Sequence, residues 1–274
     1  MNRIEKILQI RAKLSNGEPT IGSWIQIPHP SIAEMMGQTG FDWVAVDMEH
    51  GTLSPGDLPD LFRALELGGT LPLVRLAEGT PKECKQSLDA GAGGVIVPMI
   101  ESASQLKMVC DACRWPPAGT RGVGFSRANL FGKYFDSYFE EAQSPLIVAM
   151  IEHIRAVDEL DSILEQEGLD AILMGPYDLS SSMGLTGDFE NEKFVSVMET
   201  VKAKCAEKGI ACGVHVVAPD LDELNQRKEE GFLFLPYSLD SVLLESALPK
   251  WGKNGSSDQC KKKRSGHRRF LMNT

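Results

Sequence analysis

The chain has 274 residues, 42% hydrophobic and 24% charged, with 28 Lys+Arg against 38 Asp+Glu and a formal net charge of −10. Such a composition belongs to a globular protein long enough to bury a large core without disulfide staples. The acidic balance argues against nucleic acid as a partner, no apolar run reaches the ~18 residues that span a membrane, and Met1 to Ala12 lacks a signal-peptide core, so a cytoplasmic protein is expected.

In chain order, apolar β-rich runs predict strands at Ile21–Ile25, Trp43–Val46, Leu71–Leu76, Gly94–Val97, Leu146–Ile151, Ala171–Met174, Ala211–Val217 and Phe232–Leu235. Most are near-continuous rather than alternating, as parallel strands covered on both faces are. Between them, helical patterns run Ser31–Gln38, Leu58–Leu67, Pro81–Ala90, Ala103–Arg114, Ala156–Glu165, Glu192–Lys208 and Leu221–Glu230. Thr80-Pro81 starts a helix, and Lys208-Gly209 and Glu230-Gly231 stop two others. Strands alternating with helices in this way predict an α/β fold, a (β/α)8 TIM barrel. The rival doubly wound sheet would place a glycine-rich fingerprint after the first strand, and Ile25 to Pro30 has none.

Three features interrupt the pattern. Pro116 to Ser144 is too long for an ordinary connection and holds Gly119-Thr120-Arg121-Gly122-Val123-Gly124 before an aromatic stretch, Phe125 to Phe139. Such an insertion serves function or a neighbouring subunit. The six cysteines are scattered, and Cys110-x-x-Cys113 has no second pair or nearby histidines to complete a zinc site, so buried packing thiols are expected. After Trp251 the composition turns basic: residues 252–274 carry seven Lys+Arg and one acid. A run such as Lys261 to Arg264 can attract nucleic acid or an anionic membrane, but nothing in it can pack, so a disordered tail is expected after a single barrel domain over 1–251.

Barrel chemistry sits at the C-terminal strand ends. There the sequence places Asp47, Glu49 and His50, then Arg75, then Glu152 and His153, then Gly175-Pro176-Tyr177-Asp178, then His215 and Tyr237. Glu152 and Asp178 follow adjacent strands, and two hard oxygen ligands with room for water and substrate suit Mg²⁺ or Mn²⁺. The competing readings are an arginine pair for Glu152, with Arg75 as candidate, and a helix cap for Asp178. His215 reads equally as a core histidine or as a group meeting an anionic or hydroxylated acceptor.

The runs Val44-Ala-Val-Asp47-Met-Glu49-His50-Gly51, Pro72-Leu-Val-Arg75, Gly119-Thr-Arg121-Gly122-Val-Gly124 and Gly175-Pro176-Tyr-Asp178-Leu-Ser resemble the HpcH/HpaI aldolase family, in the family's order and over roughly Gly22 to Ala247. The resemblance implies a metal-dependent (class II) aldolase that cleaves a 4-hydroxy-2-oxo acid to pyruvate and an aldehyde. It implies that Glu152 and Asp178 ligate Mg²⁺, Mn²⁺ or Co²⁺. Pyruvate would chelate that ion, its carboxylate held by backbone N–H groups near Tyr177 and Asp178, within the substrate-binding run Gly175, Pro176, Tyr177 and Asp178. Arg75 would lie over the keto oxygen, His50 oriented by Asp47 would handle the hydroxyl proton, and the Arg121 loop would help to close the site. It further implies a homo-oligomer, a hexamer built as a trimer of dimers. Met150 stands where the aldolases carry Gln, and His215 where they carry small apolar residues, which bears on substrate choice. The other readings are a citrate-synthase-like or acyl-CoA lyase condensation at the same metal, and a non-catalytic barrel scaffold.

Overall fold

In the computed structural model, residues 2–249 are described; the basic tail at 252–274 lies outside them. The chain divides into two units, Met1–Leu243 and Leu244–Thr274. The first holds a closed barrel of strands β1 (Thr20–Ile25), β2 (Trp43–Asp47), β3 (Leu71–Arg75), β4 (Gly94–Val97), β5 (Leu146–Ile151), β6 (Ala171–Met174), β7 (Ala211–Val214) and β8 (Phe234–Leu239). All neighbouring pairs are parallel, and β8 closes on β1 through Thr20↔Phe234 to Trp24↔Leu239.

Helix α1 (Arg3–Ser15) precedes the barrel, and α2 (Pro30–Gly37), α3 (Leu58–Leu67), α4 (Pro81–Asp89) and α5 (Ala103–Cys113) follow the first four strands. The insertion adds a 3₁₀ turn at Arg127–Asn129 and α6 (Phe135–Gln143). Then come α7 (Ile154–Asp158), α8 (Leu160–Leu164), α9 (Pro176–Ser182), α10 (Glu192–Lys208), α11 (Leu221–Glu229) and α12 (Asp240–Ala247). The helix expected over Ala156–Glu165 breaks in two, because Glu159 (φ −96°, ψ 8°) leaves the helical region. Among the described residues no helix is long and apolar enough to cross a membrane.

Alternation along each strand sorts the core into two layers. Outward residues such as Val44, Val46, Val74, Ile151 and Val214 pack under the helices. Inward residues such as Trp24, Trp43, Leu73, Ile96, Val148, Leu173 and Phe234 fill the barrel. Trp43 stacks flat on Phe234 with centroids 4.3 Å apart, and a Cβ at Gly22 would run into its indole, so glycine is required there. Ile7, Ile10 and Leu14 of α1 join the inner layer, so α1 plugs the N-terminal end of the barrel. The cysteine expectation agrees with the burial of Cys84, Cys110, Cys113, Cys205 and Cys212 as free thiols.

Candidate active site at the C-terminal rim

Arg75 ends β3 beside Asp47 at the end of β2, a registered pair across parallel strands. Its Nε donates to Asp47 Oδ1 at 2.8 Å and its Nη2 to Oδ2 at 2.6 Å, while Nη1 lies 3.2 Å from Glu49 Oε2. The guanidinium also rests 4.6 Å from the centre of the Trp24 ring. Gln26 Nε2 adds a hydrogen bond to Asp47 at 2.8 Å. Burial alone would raise the Asp47 carboxyl, but the Arg75 bonds and charge, with Gln26 and the His50 N–H, hold it below its ordinary value. Asp47 is a fixed anion that aims Arg75.

That occupancy corrects the expected Asp47–His50 pairing. Asp47 reaches His50 only through the backbone N–H, at 3.2 Å. The His50 ring, 60% exposed, stands instead with Nε2 3.9 Å from Glu49 Oε2. Glu49, in the same Asp47–Gly51 run, joins this cluster through both Arg75 and His50. Its Oε2 is buried without a hydrogen-bond donor, and burial, with Asp47 and Asp178 nearby, raises its carboxyl despite Arg75.

Glu152 follows β5 and is 3% exposed. Met99 N–H donates to its Oε2 at 3.0 Å, and a Cβ on Gly175 would collide with its Oε1, so this glycine makes the space the carboxylate fills. Among the described residues Glu152 has no ion-pair partner, Arg75 being taken by Asp47 and Glu49. Burial pushes its carboxyl up to about 7, against the Met99 bond and with the Glu49 and Asp178 charges adding to the rise. Asp178 is not the cap of α9: Gly175 takes that place with Pro176 in the first turn, and no side chain caps the end. The Asp178 side chain is exposed and accepts no hydrogen bond among the described residues, and Tyr177 stands exposed beside it.

Glu49, Glu152 and Asp178 therefore concentrate negative charge at the rim with one guanidinium against it. The carboxylates of Glu152 and Asp178 fit a hard divalent cation, for which the Glu152 carboxylate seated against Gly175 without an ion-pair partner is the local evidence. Among the described residues no three His, Cys, Asp or Glu side chains are grouped so as to hold an ion.

His215 lies one residue beyond β7, in the inward alternation that includes Ala211. Its Nε2 is 3.1 Å from Ser238 O, and its ring meets Trp24 edge-on at 5.8 Å. Burial, with Arg75 adding to it, drives the imidazole down to about 4, against the Ser238 bond and Asp47. His153 is structural, its Nδ1 accepting from Arg155 N at 3.2 Å at the start of α7.

Arg121 is not at this rim. Helices after parallel strands run back to the N-terminal end of the barrel, and Arg121 sits beyond the end of α5, its N–H bonded to Arg114 O at 2.8 Å. Its buried guanidinium donates to Tyr138 at 3.0 Å, lies 3.8 Å from Asp89, the last residue of α4, and faces the Trp115 ring. Within the chain it braces the insertion and does not close the site. The signal was its neighbour Trp115, an anchor for a buried cation.

Sequence and fold comparisons agree with this architecture. The chain is 34% identical over 254 residues to 2-keto-3-deoxy-L-rhamnonate aldolase of Escherichia coli K12, covering 89% of this chain and 94% of that protein. It superposes with TM-score 0.81 on the crystal structure of an HpcH/HpaI aldolase/citrate lyase family protein from Burkholderia cenocepacia J2315, at 29% identity, covering 95% and 99% of the two chains. The fold alone is shared, at 16% identity and TM-score 0.55 over 86% and 96% of the chains, with a citrate lyase beta subunit from M. tuberculosis complexed with oxaloacetate and magnesium. The profile of the HpcH/HpaI aldolase/citrate lyase family matches residues 20–247. The chain belongs to that family, as an enzyme of the carbon–carbon lyase class.

Proposed function

We propose that the enzyme cleaves a 4-hydroxy-2-oxo acid to pyruvate and an aldehyde, using Mg²⁺ or Mn²⁺ held by Glu152 and Asp178. The observation that carries this reading is the opposition of two features at one rim. Glu152 is buried without a protein cation, and Arg75 is a guanidinium immobilised by Asp47. The magnesium in the citrate lyase neighbour and the 2-keto acid in the name of the Escherichia coli relative support the same choice.

When bound, the divalent cation supplies positive charge where the enolate of pyruvate develops. Arg75 directs its remaining N–H groups at the keto oxygen, and Asp47 with Trp24 keeps that orientation in both ground and transition states. The first-turn N–H groups of Tyr177 and Asp178 have no acceptor among the described residues and hold the substrate carboxylate. His50, exposed beside Glu49, takes the proton of the C4 hydroxyl as the C3–C4 bond breaks, directly or through water. No lysine stands at a described strand end, which disfavours a Schiff-base route.

Pyruvate release, read with lactate dehydrogenase and NADH, should vanish after EDTA stripping and return with Mn²⁺ or Mg²⁺. Full activity in the stripped enzyme would overturn the reading. It includes a homo-oligomer, expected as a hexamer, supported by exposed Phe125, Phe131, Tyr134 and Phe139 in the insertion and tested by light scattering. The buried free thiols fit the reducing cytoplasm.

A further inference from the structure

The polar groups at the rim are matched to the pyruvate half of the substrate: Arg75 to its keto oxygen, the α9 N–H groups to its carboxylate, Glu152 and Asp178 to the cation. His215 is an inward polar side chain that none of these roles uses. His215 stands one residue past the Val214↔Met174 pair, which brings it alongside Gly175 and the wall that seats Glu152. On its other side it meets Trp24, the ring beneath Arg75. It therefore borders the chamber between the Gly175 wall and the Trp24 ring.

The state of the ring follows from its partner. Ser238 has φ +53°, a left-handed conformation, and its carbonyl lies within 3.1 Å of His215 Nε2 and 3.3 Å of Ser23 Oγ. Ser238 N–H is anchored to Val216 O at 2.7 Å, so this carbonyl is fixed. A carbonyl only accepts, so Nε2 carries the hydrogen and Nδ1 carries a lone pair. Among the described residues nothing donates to Nδ1. Enclosure and the nearby Arg75 keep the imidazole neutral at physiological pH. A neutral acceptor in a largely dry wall welcomes a hydroxyl, repels a carboxylate and is left unpaired by a methyl or methylene group.

We propose that His215 selects the aldehyde half of the substrate, its Nδ1 accepting a hydrogen bond from a hydroxyl there, so that the site takes an uncharged hydroxyaldehyde over carboxylate-bearing or unsubstituted aldehydes. This rests on the aldolase reading above and sharpens it to one substrate class.

The test is aldol addition of pyruvate by the intact Mn²⁺-loaded enzyme to three probes: glyceraldehyde, propionaldehyde and succinic semialdehyde. The wild type should favour glyceraldehyde over propionaldehyde in kcat/KM by about tenfold or more, and over succinic semialdehyde by at least as much. His215→Leu should bring the glyceraldehyde-to-propionaldehyde ratio to about one. His215→Gln, whose amide can donate to Ser238 O and still present an acceptor, should restore most of the preference, which a merely structural role would not do. An equal ratio in wild type and His215→Leu, or a wild-type preference for succinic semialdehyde, overturns the proposal. Should the leucine variant fail to fold, a glutamine variant without the preference overturns it equally. Exchange of pyruvate methyl protons in D₂O by the wild type, with no aldehyde present, separates the two levels. Exchange with an unchanged ratio removes only the role of His215, whereas no exchange and no addition removes the aldolase reading and this proposal with it.

Discussion

Arg75 and Asp47 are joined by two parallel hydrogen bonds, 2.8 Å and 2.6 Å, between the ends of adjacent strands, and the carboxylate that makes them is wholly buried. The pair converts a flexible side chain into a fixed element of the barrel. Arg75→Lys keeps the charge but cannot form the fork, so kcat for pyruvate release should fall by about 10²-fold while the fold is retained. Asp47→Ala leaves the guanidinium with Glu49 alone and should cost about 3–5 kcal/mol of stability in urea unfolding. Retention of wild-type kcat in the lysine variant would remove Arg75 from the site.

The raised Glu152 carboxyl gives a pH dependence of defined sign. Between the ordinary value of 4.5 and about 7, the folded protein holds a proton there that the unfolded chain has lost. The metal-free enzyme therefore loses this contribution to stability as pH rises through that window and is level above it. Glu152→Gln should abolish the slope, gaining on the order of 3 kcal/mol relative to wild type at pH 8 and nothing at pH 4. Because proton and cation compete, wild-type Mn²⁺ affinity should fall about tenfold per unit below pH 7. Asp47 acts oppositely: its lowered carboxyl contributes stability above its ordinary value of 3.8 that is lost as pH falls below it.

Gly175→Ala places a methyl group against Glu152 Oε1. The carboxylate must shift, so Mn²⁺ affinity measured by titration should fall by about 10- to 100-fold, with a stability loss of about 1–3 kcal/mol. Unchanged affinity would show that the seat against Gly175 does not position the ligand.

His50→Gln should lower cleavage by about 10²-fold or more without a change in melting temperature, because the ring is exposed and holds no structural bond to Asp47. A melting temperature that falls with the rate would assign His50 a structural part instead.

The barrel was legible in the sequence because parallel strands buried on both faces leave uninterrupted apolar runs, and those of β4, β5 and β6 match the structure to the residue. The end of β8 was not legible, since Pro236 and the left-handed Ser238 look like a break and yet the strand continues to Leu239. No helix was expected over α1; its anchors Ile7, Ile10 and Leu14 acquire meaning once a barrel floor exists to receive them. Strand-end placement gathered Asp47, Glu49, Arg75, Glu152, Asp178 and His215 on one rim. Which atoms face one another depends on register and rotamer: the expectation missed that Asp47 meets Arg75, and the competing cap reading of Asp178 gives way to Gly175. For Arg121 the resemblance implied a place at the site, whereas the path of the chain beyond α5 sets it against Trp115 and Tyr138.

The plug formed by α1 has a consequence for traffic. Ile7, Ile10 and Leu14 seal the floor, and Arg3 ties the plug to Glu66, Glu141 and the Ala128 carbonyl. With the interior already filled by Trp43, Leu73 and Phe234, the C-terminal rim is the face left open, so under the proposed cleavage both fragments would leave by the way the substrate came. On that proposal the fragment gripped by charge at the strand ends would depart last, and the neutral one would go ahead of it. In the direction of synthesis the same proposal would make the oxo acid the first guest and the aldehyde the second.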